Sequence, residues 1–143
     1  MTETATDTIL HASTVAFGPR AVLLLGPSGA GKSTLALELL SRGARLIADD
    51  RTRVTRLPDG LQVAPPAAIA GRIEARGIGL LACPYDGPAW LHLVVDLAVD
   101  SASRLPPHAM ITILGTEIEL LNGRGLPNLA AALPLLMTGA RVD

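Results

Sequence analysis

Eight consecutive residues limit what this chain can fold into more than any other feature of it. Gly26, Pro27, Ser28, Gly29, Ala30, Gly31, Lys32 and Ser33 read GPSGAGKS, the G-x-x-x-x-G-K-[ST] spacing. In such a segment glycines let consecutive backbone N–H groups converge on an anion, and a lysine adds a compact cation. The octapeptide follows a short apolar run, AVLLL at residues 21–25, and leads into good helix formers from Lys32 to Ser41, with Leu35 and Leu39 one turn apart. A strand buried on both faces, a tight turn and a helix whose N-terminus opens into that turn together make a phosphate cradle. At this content of glycine and serine the pattern arises by chance in roughly one chain in a thousand, so a phosphate-binding loop is the reading that follows.

Within the loop each residue has a physical task. Gly29 and Gly31 permit the curl, Lys32 can reach the β and γ phosphates, the Ser33 hydroxyl can ligate a magnesium ion, and Thr34 carries the loop into the first helical turn. Twelve cationic residues are eleven arginines and one lysine, and the lysine is Lys32. A chain that otherwise uses arginine has its lysine where a point charge is wanted.

The rest of the composition narrows the class. The chain has 143 residues and a net charge of −1, which predicts a single globular domain spanning residues 1–143. Near neutrality, with Phe17, Tyr85 and Trp90 as the aromatics, it lacks the clustered cations and stacking surface of a nucleic-acid binder. No apolar run approaches the ~20 residues of a membrane-spanning helix. The Thr-rich, acidic start, residues 1–10, has no basic and apolar signal segment, and Cys83 stands alone, so the cytoplasm is the expected compartment.

Turn residues recur at short intervals, as in an α/β domain without a linker. Beyond Gly43, placed to end the first helix, residues 45–48 predict a second buried strand closing on Asp49 and Asp50. Residues 54–63 predict a hairpin around Pro58, Asp59 and Gly60. The stretch IAGRIEARGIG at residues 69–79 carries too many glycines for a regular core element, and residues 83–88 read as a loop. Residues 90–99 form the strongest strand of the second half. Residues 111–114 and 117–121 predict two strands turning at Gly115 and Thr116, and residues 128–137 a helix limited or kinked by Pro134.

A magnesium–nucleotide site needs a carboxylate at a neighbouring strand end. Asp49 with Asp50 offers one, and Asp96 after WLHLVV another. The adjacent pair is the richer choice, because one carboxylate can face the metal while its neighbour takes a proton from an acceptor hydroxyl. The N-K-x-D motif of guanine-specific enzymes needs a lysine that this chain does not have, and Arg51, Arg53 and Arg56 read as a solvated strand face.

His11, the segment GPSGAGKSTLALELLSRGARLIADDRTRV at residues 26–54 and APPAAIAGRIEARGIGLL at residues 64–81 together resemble the catalytic domain of bacterial HPr kinase/phosphorylase. The phosphate loop, the L-I-A-D-D strand end and the E-x-R-G-hydrophobic-G segment occur in the family's order and at family-like spacing. The resemblance implies the variant phosphate-loop fold shared with phosphoenolpyruvate carboxykinase, ATP and Mg2+ as cofactors, and phosphorylation of a serine on an HPr-like phosphocarrier of the sugar phosphotransferase system. It implies Asp50 as proton acceptor, Asp49, Ser33 and Glu74 beside the metal, Arg76 in the same signature, and His11, Lys32 and Arg104 as further catalytic positions. Thr34 replaces the acidic residue common in the family.

Longer members carry an additional N-terminal domain and a C-terminal stretch linked to dephosphorylation. The former has no counterpart here and the latter is not recognisable, with Asn122 to Gly125 (NGRG) its nearest vestige. The expectation is a short-form regulatory kinase with weak phosphorylase activity, for which a homo-oligomer is compatible. Two other readings of the same loop stand beside it: a small-molecule kinase or ATPase, and a nucleotide-sensing module without turnover.

Overall fold

A computed structural model of the chain describes residues 6–101 and 108–139. The run AVLLL belongs to β3 (Arg20–Leu25), and its alternate side chains enter two different cores, Val22 and Leu24 on one face, Ala21 and Leu23 on the other. Burial on both faces is why the run is apolar without alternation. β3 pairs antiparallel with β2 (Ala12–Phe17), which pairs antiparallel with β4 (Arg45–Ala48). On its other edge β3 runs parallel to the long strand β9 (Ala89–Asp100).

β9 branches the sheet. Its first two residues pair with β6 (Gly60–Ala64), the second arm of a hairpin with β5 (Thr52–Leu57), whose outer edge takes β1 (Asp7–Leu10). From Leu93 onward the same edge of β9 instead carries β11 (Thr116–Arg124) in parallel, with β10 (Ala109–Ile113) antiparallel outside it. The result is an α/β fold on a mixed nine-stranded sheet. α1 (Lys32–Ser41) and α2 (Leu129–Thr138) cover one face, where Leu35, Ala36, Leu39, Leu133 and Met137 join Val15, Val22 and Val95. The β5–β6 hairpin and Ile113 close the other around Leu23, Ile47 and Val94.

The sequence expectations hold for β3, α1, β4, the β5–β6 hairpin, β9 and the β10–β11 pair, whose turn falls at Leu114 and Gly115, one residue early. α2 runs past Pro134 to Thr138 and is not ended by it. The glycine-rich stretch departs from expectation: β7 (Arg72–Ala75) pairs with β8 (Gly79–Ala82), burying Ile73 and Ala75. Its glycines make the hairpin possible, because Gly77 occupies the turn at φ +83° and Gly79 opens β8. β1 and β2 are likewise not announced by hydropathy; in β2, Ser13 and Thr14 interrupt the apolar pattern while being fully buried. Among the described residues no helix is long and apolar enough to cross a membrane.

Candidate active site

The loop after β3 is held open from within. Gly26 sits at φ +149°, and a Cβ there would meet that of Ala30 at 2.9 Å. Gly29 and Gly31 take φ +86° and +96°, left-handed values that let the chain curl before α1 begins. Ala30 N–H closes the turn on the Pro27 carbonyl at 3.1 Å. Lys32 opens α1, and its Nζ donates to the carbonyls of Gly26 at 2.6 Å and Pro27 at 3.1 Å. A buried ammonium requires such partners, and these two fix the cation across the mouth of the loop.

β4 delivers the two carboxylates in different states. Asp49 is buried, and its carboxylate accepts from three separate elements: Ser13 Oγ and Ser33 Oγ each donate to Oδ1 at 2.7 Å, and the Glu74 backbone N–H donates to Oδ2 at 2.9 Å. Asp50 is exposed and lies at φ +69°, a left-handed conformation that Asp tolerates better than most residues. Its backbone N–H donates to Ser13 Oγ at 3.1 Å, and its Oδ1 lies 2.6 Å from His11 Nε2. Strand β2, the first turn of α1, the end of β4 and β7 therefore meet at Asp49.

A cleft of about 230 Å³ opens over this junction, lined by the loop, Lys32, Ser33, Thr34, Asp50, Glu74 and Arg76. A second, open cleft of about 380 Å³ is lined by Ile9, His11, Asp50 and Arg51. Asp50 stands in both. The first cleft is smaller than the ~300–1,000 Å³ usual for small-molecule sites, which suits the phosphate end of a ligand.

The chain's residues fit a magnesium ion. Ser33 Oγ lies 2.7 Å from Asp49 Oδ1 beside the cleft that Glu74 lines, a set of hard oxygen donors. Among the described residues no cluster of three or more His, Cys, Asp or Glu side chains is placed to hold a metal alone.

Of the residues singled out by sequence, the structure gathers His11, the loop from Gly26 to Thr34, Asp49, Asp50, Glu74 and Arg76. Arg104 lies outside the described residues. Asp96, the alternative acidic strand end, sits beside Leu25 in the β3–β9 pairing but accepts the Ala98 backbone N–H at 2.9 Å and does not line the cleft. Arg124 is held in a bidentate ion pair by Asp100, both bonds 2.9 Å. The hydrogen bond, and then the charge, of Arg124 keep the Asp100 carboxyl below its ordinary pKa. Ser13 is the residue sequence reasoning missed. No motif marks it, and its only sequence signal is a serine inside a strand otherwise reading as core.

A family model described as the HPr Serine kinase C-terminal domain matches residues 2–84. A protein named HPr kinase/phosphorylase from Thermoanaerobacter sp. (strain X514) is 54% identical over 61 residues, covering 42% of this chain and 20% of that protein. Another of that name from Stenotrophomonas maltophilia (strain K279a) is 46% identical over 74 residues, 51% of this chain and 23% of that protein. The match thus spans about a fifth of the length of these relatives. In fold, the chain is similar to the solved HPr(Ser) kinase/phosphatase from Coxiella burnetii, with a TM-score of 0.76 at 22% identity over 92% of this chain and 88% of that one.

Proposed function

The chain belongs to the HPr serine kinase C-terminal domain family, and from that membership we propose that it is an ATP-dependent protein serine kinase acting on an HPr-like phosphocarrier in the cytoplasm. The fold is then of the phosphate-loop type shared with phosphoenolpyruvate carboxykinase, a reading supported by a glycine-rich turn between the buried strand β3 and α1. The observation that carries the proposal is the placement of Asp50 between two clefts, one lined by the phosphate loop and one open to an incoming side chain.

The loop amides, the N-terminus of α1 and Lys32 bind and orient the β and γ phosphates. Ser33, Asp49 and Glu74 would hold the magnesium ion, which neutralises phosphate charge when bound. Asp50 accepts the proton of the target serine as its Oγ forms the new bond to the γ-phosphorus and the bond from that phosphorus to the bridging oxygen breaks, releasing ADP. His11, 2.6 Å from Asp50 Oδ1, fixes the direction in which that carboxylate faces. Most of the rate arises from positioning and electrostatics. The reverse, phosphate-driven reaction is weak in this reading, because Arg124 in the NGRG segment is already engaged by Asp100.

The test is incubation of the chain with Mg-ATP and a purified HPr-like carrier, followed by intact mass. A carrier heavier by one phosphoryl group, mapped to serine, is expected. ATP hydrolysis with an unmodified carrier moves the assignment to an ATPase, and ATP binding without hydrolysis to a sensing module.

A further inference from the structure

The phosphate cleft does not end at the loop. Gly31 and Thr34 line it on one side and on the other line a further cleft of about 340 Å³. β3, β9 and β11 run parallel, and this second cleft lies at their carboxyl ends, where Leu97, Gly123 and Arg124 reach it. Ligands of open α/β sheets bind outside the carboxyl ends of parallel strands. Gly31 and Thr34 thus form a wall common to the phosphate cleft and to this space.

Its walls differ in kind from those of the phosphate cleft. Leu35 on α1, Leu97 on β9 and Leu129 on α2 are buried and form part of the main core, with Leu126 and Ala130 packed against them. Gly125, at φ +79°, turns the chain after β11 so that Leu126 and Pro127 face α1 across the cleft. Polar groups lie at the edge: Thr34, Glu38, and Arg124 held by Asp100. An apolar slot with a polar edge, sharing Gly31 and Thr34 with an anion cradle, matches a nucleotide cut across its sugar, with a flat heterocycle between aliphatic surfaces and sugar hydroxyls at the edge.

We propose that this cleft between α1 and the β11–α2 turn binds the nucleoside half of the phosphoryl donor, with the base between Leu35 and the Leu126–Pro127–Ala130 wall. The inference rests on the phosphate-loop reading above and adds to it a binding site formed by residues 123–130, most of the way along the chain from the loop. The NGRGLP segment is therefore assigned to donor binding and not to a phosphorolytic site.

The experiment compares Mg-ATP with Mg-tripolyphosphate, which has the phosphate chain but no nucleoside, by titration calorimetry on the wild-type chain and Ala130→Trp. The variant is expected to weaken ATP by roughly tenfold or more while leaving tripolyphosphate within about twofold. Retained tripolyphosphate binding also shows that the variant is folded. ATP binding unchanged in Ala130→Trp overturns the inference and leaves the kinase reading standing, whereas a wild-type chain that binds neither ligand overturns both. Photolabelling of the wild-type chain with 8-azido-ATP needs no variant: an adduct on the tryptic peptide beginning at Gly125 is expected, and an adduct confined to peptides outside the cleft overturns the assignment.

Discussion

The hydroxyl of Ser13 lies 2.7 Å from Asp49 Oδ1 and at the same time accepts the Asp50 backbone N–H at 3.1 Å. One buried side chain on β2 thus holds the carboxylate of the first aspartate and the backbone of the second. Ser13→Ala removes a donor from a buried carboxylate and leaves the Asp50 N–H without that acceptor, a loss of about 1–3 kcal/mol, to be read from urea unfolding. If Ser13 positions Asp50, kcat falls while KM for ATP stays near wild type, and Ser13→Cys, which keeps a weak donor and acceptor, recovers part of kcat. Equal losses in kcat and in ATP affinity would assign Ser13 to general stability instead.

Lys32→Ala is expected to abolish phosphoryl transfer and to weaken tripolyphosphate by about tenfold or more, since each charge-assisted bond is worth roughly 1.5–3 kcal/mol. Lys32→Arg is expected not to rescue, because a planar guanidinium cannot take the place of an ammonium held by the two carbonyls of Gly26 and Pro27. The sole lysine gives a second readout: an amine-reactive ATP analogue labels Lys32 besides the α-amino group, and excess ATP protects it.

The two acidic strand ends separate by mutation. Asp50→Asn is expected to lower kcat by about 10²–10⁴, the range of a lost general base, with Mg-ATP binding little changed in calorimetry. Asp96→Asn changes turnover only modestly, because the Asp96 carboxylate is committed to the Ala98 N–H and stands outside the phosphate cleft. A dead Asp96→Asn beside an active Asp50→Asn would reverse the assignment.

Cys83 supplies a pH test. Burial pushes its thiol pKa up, and the nearby positive charge of Arg45 only partly offsets this. A raised pKa leaves less thiolate at neutral pH than the unfolded chain has, and thiolate is the reactive form. Iodoacetamide is expected to alkylate Cys83 more slowly in the folded protein than in urea at pH 7–8, roughly the range below the unperturbed thiol pKa. The difference narrows as the pH rises through the folded value. Faster alkylation of the folded chain near neutrality would contradict the burial effect.

The sequence by itself determined the parts of this protein whose cause is local. The GPSGAGKS turn, β3 before it, α1 after it and the Pro58–Asp59–Gly60 hairpin follow from glycine placement, apolar spacing and turn chemistry within a few residues of each other. The acidic pair at the end of β4 was legible for the same reason. The tertiary structure alone decided which of those groups meet. His11 and Asp50 are 39 residues apart, Ser13 and Asp49 are 36, and Glu74 reaches Asp49 through a backbone N–H that no side-chain pattern encodes. Hydropathy marks apolar residues and not what a buried polar one faces, so Ser13 carried no mark in the sequence although it is the hydrogen-bonding centre of the site. The glycines of residues 69–79 misled in the same way, since their effect depends on whether they fall within a strand or at its turn. The branching of β9 between β6 and β11 is likewise set by sheet pairing, and it is this branching that places the β11–α2 turn beside the phosphate loop.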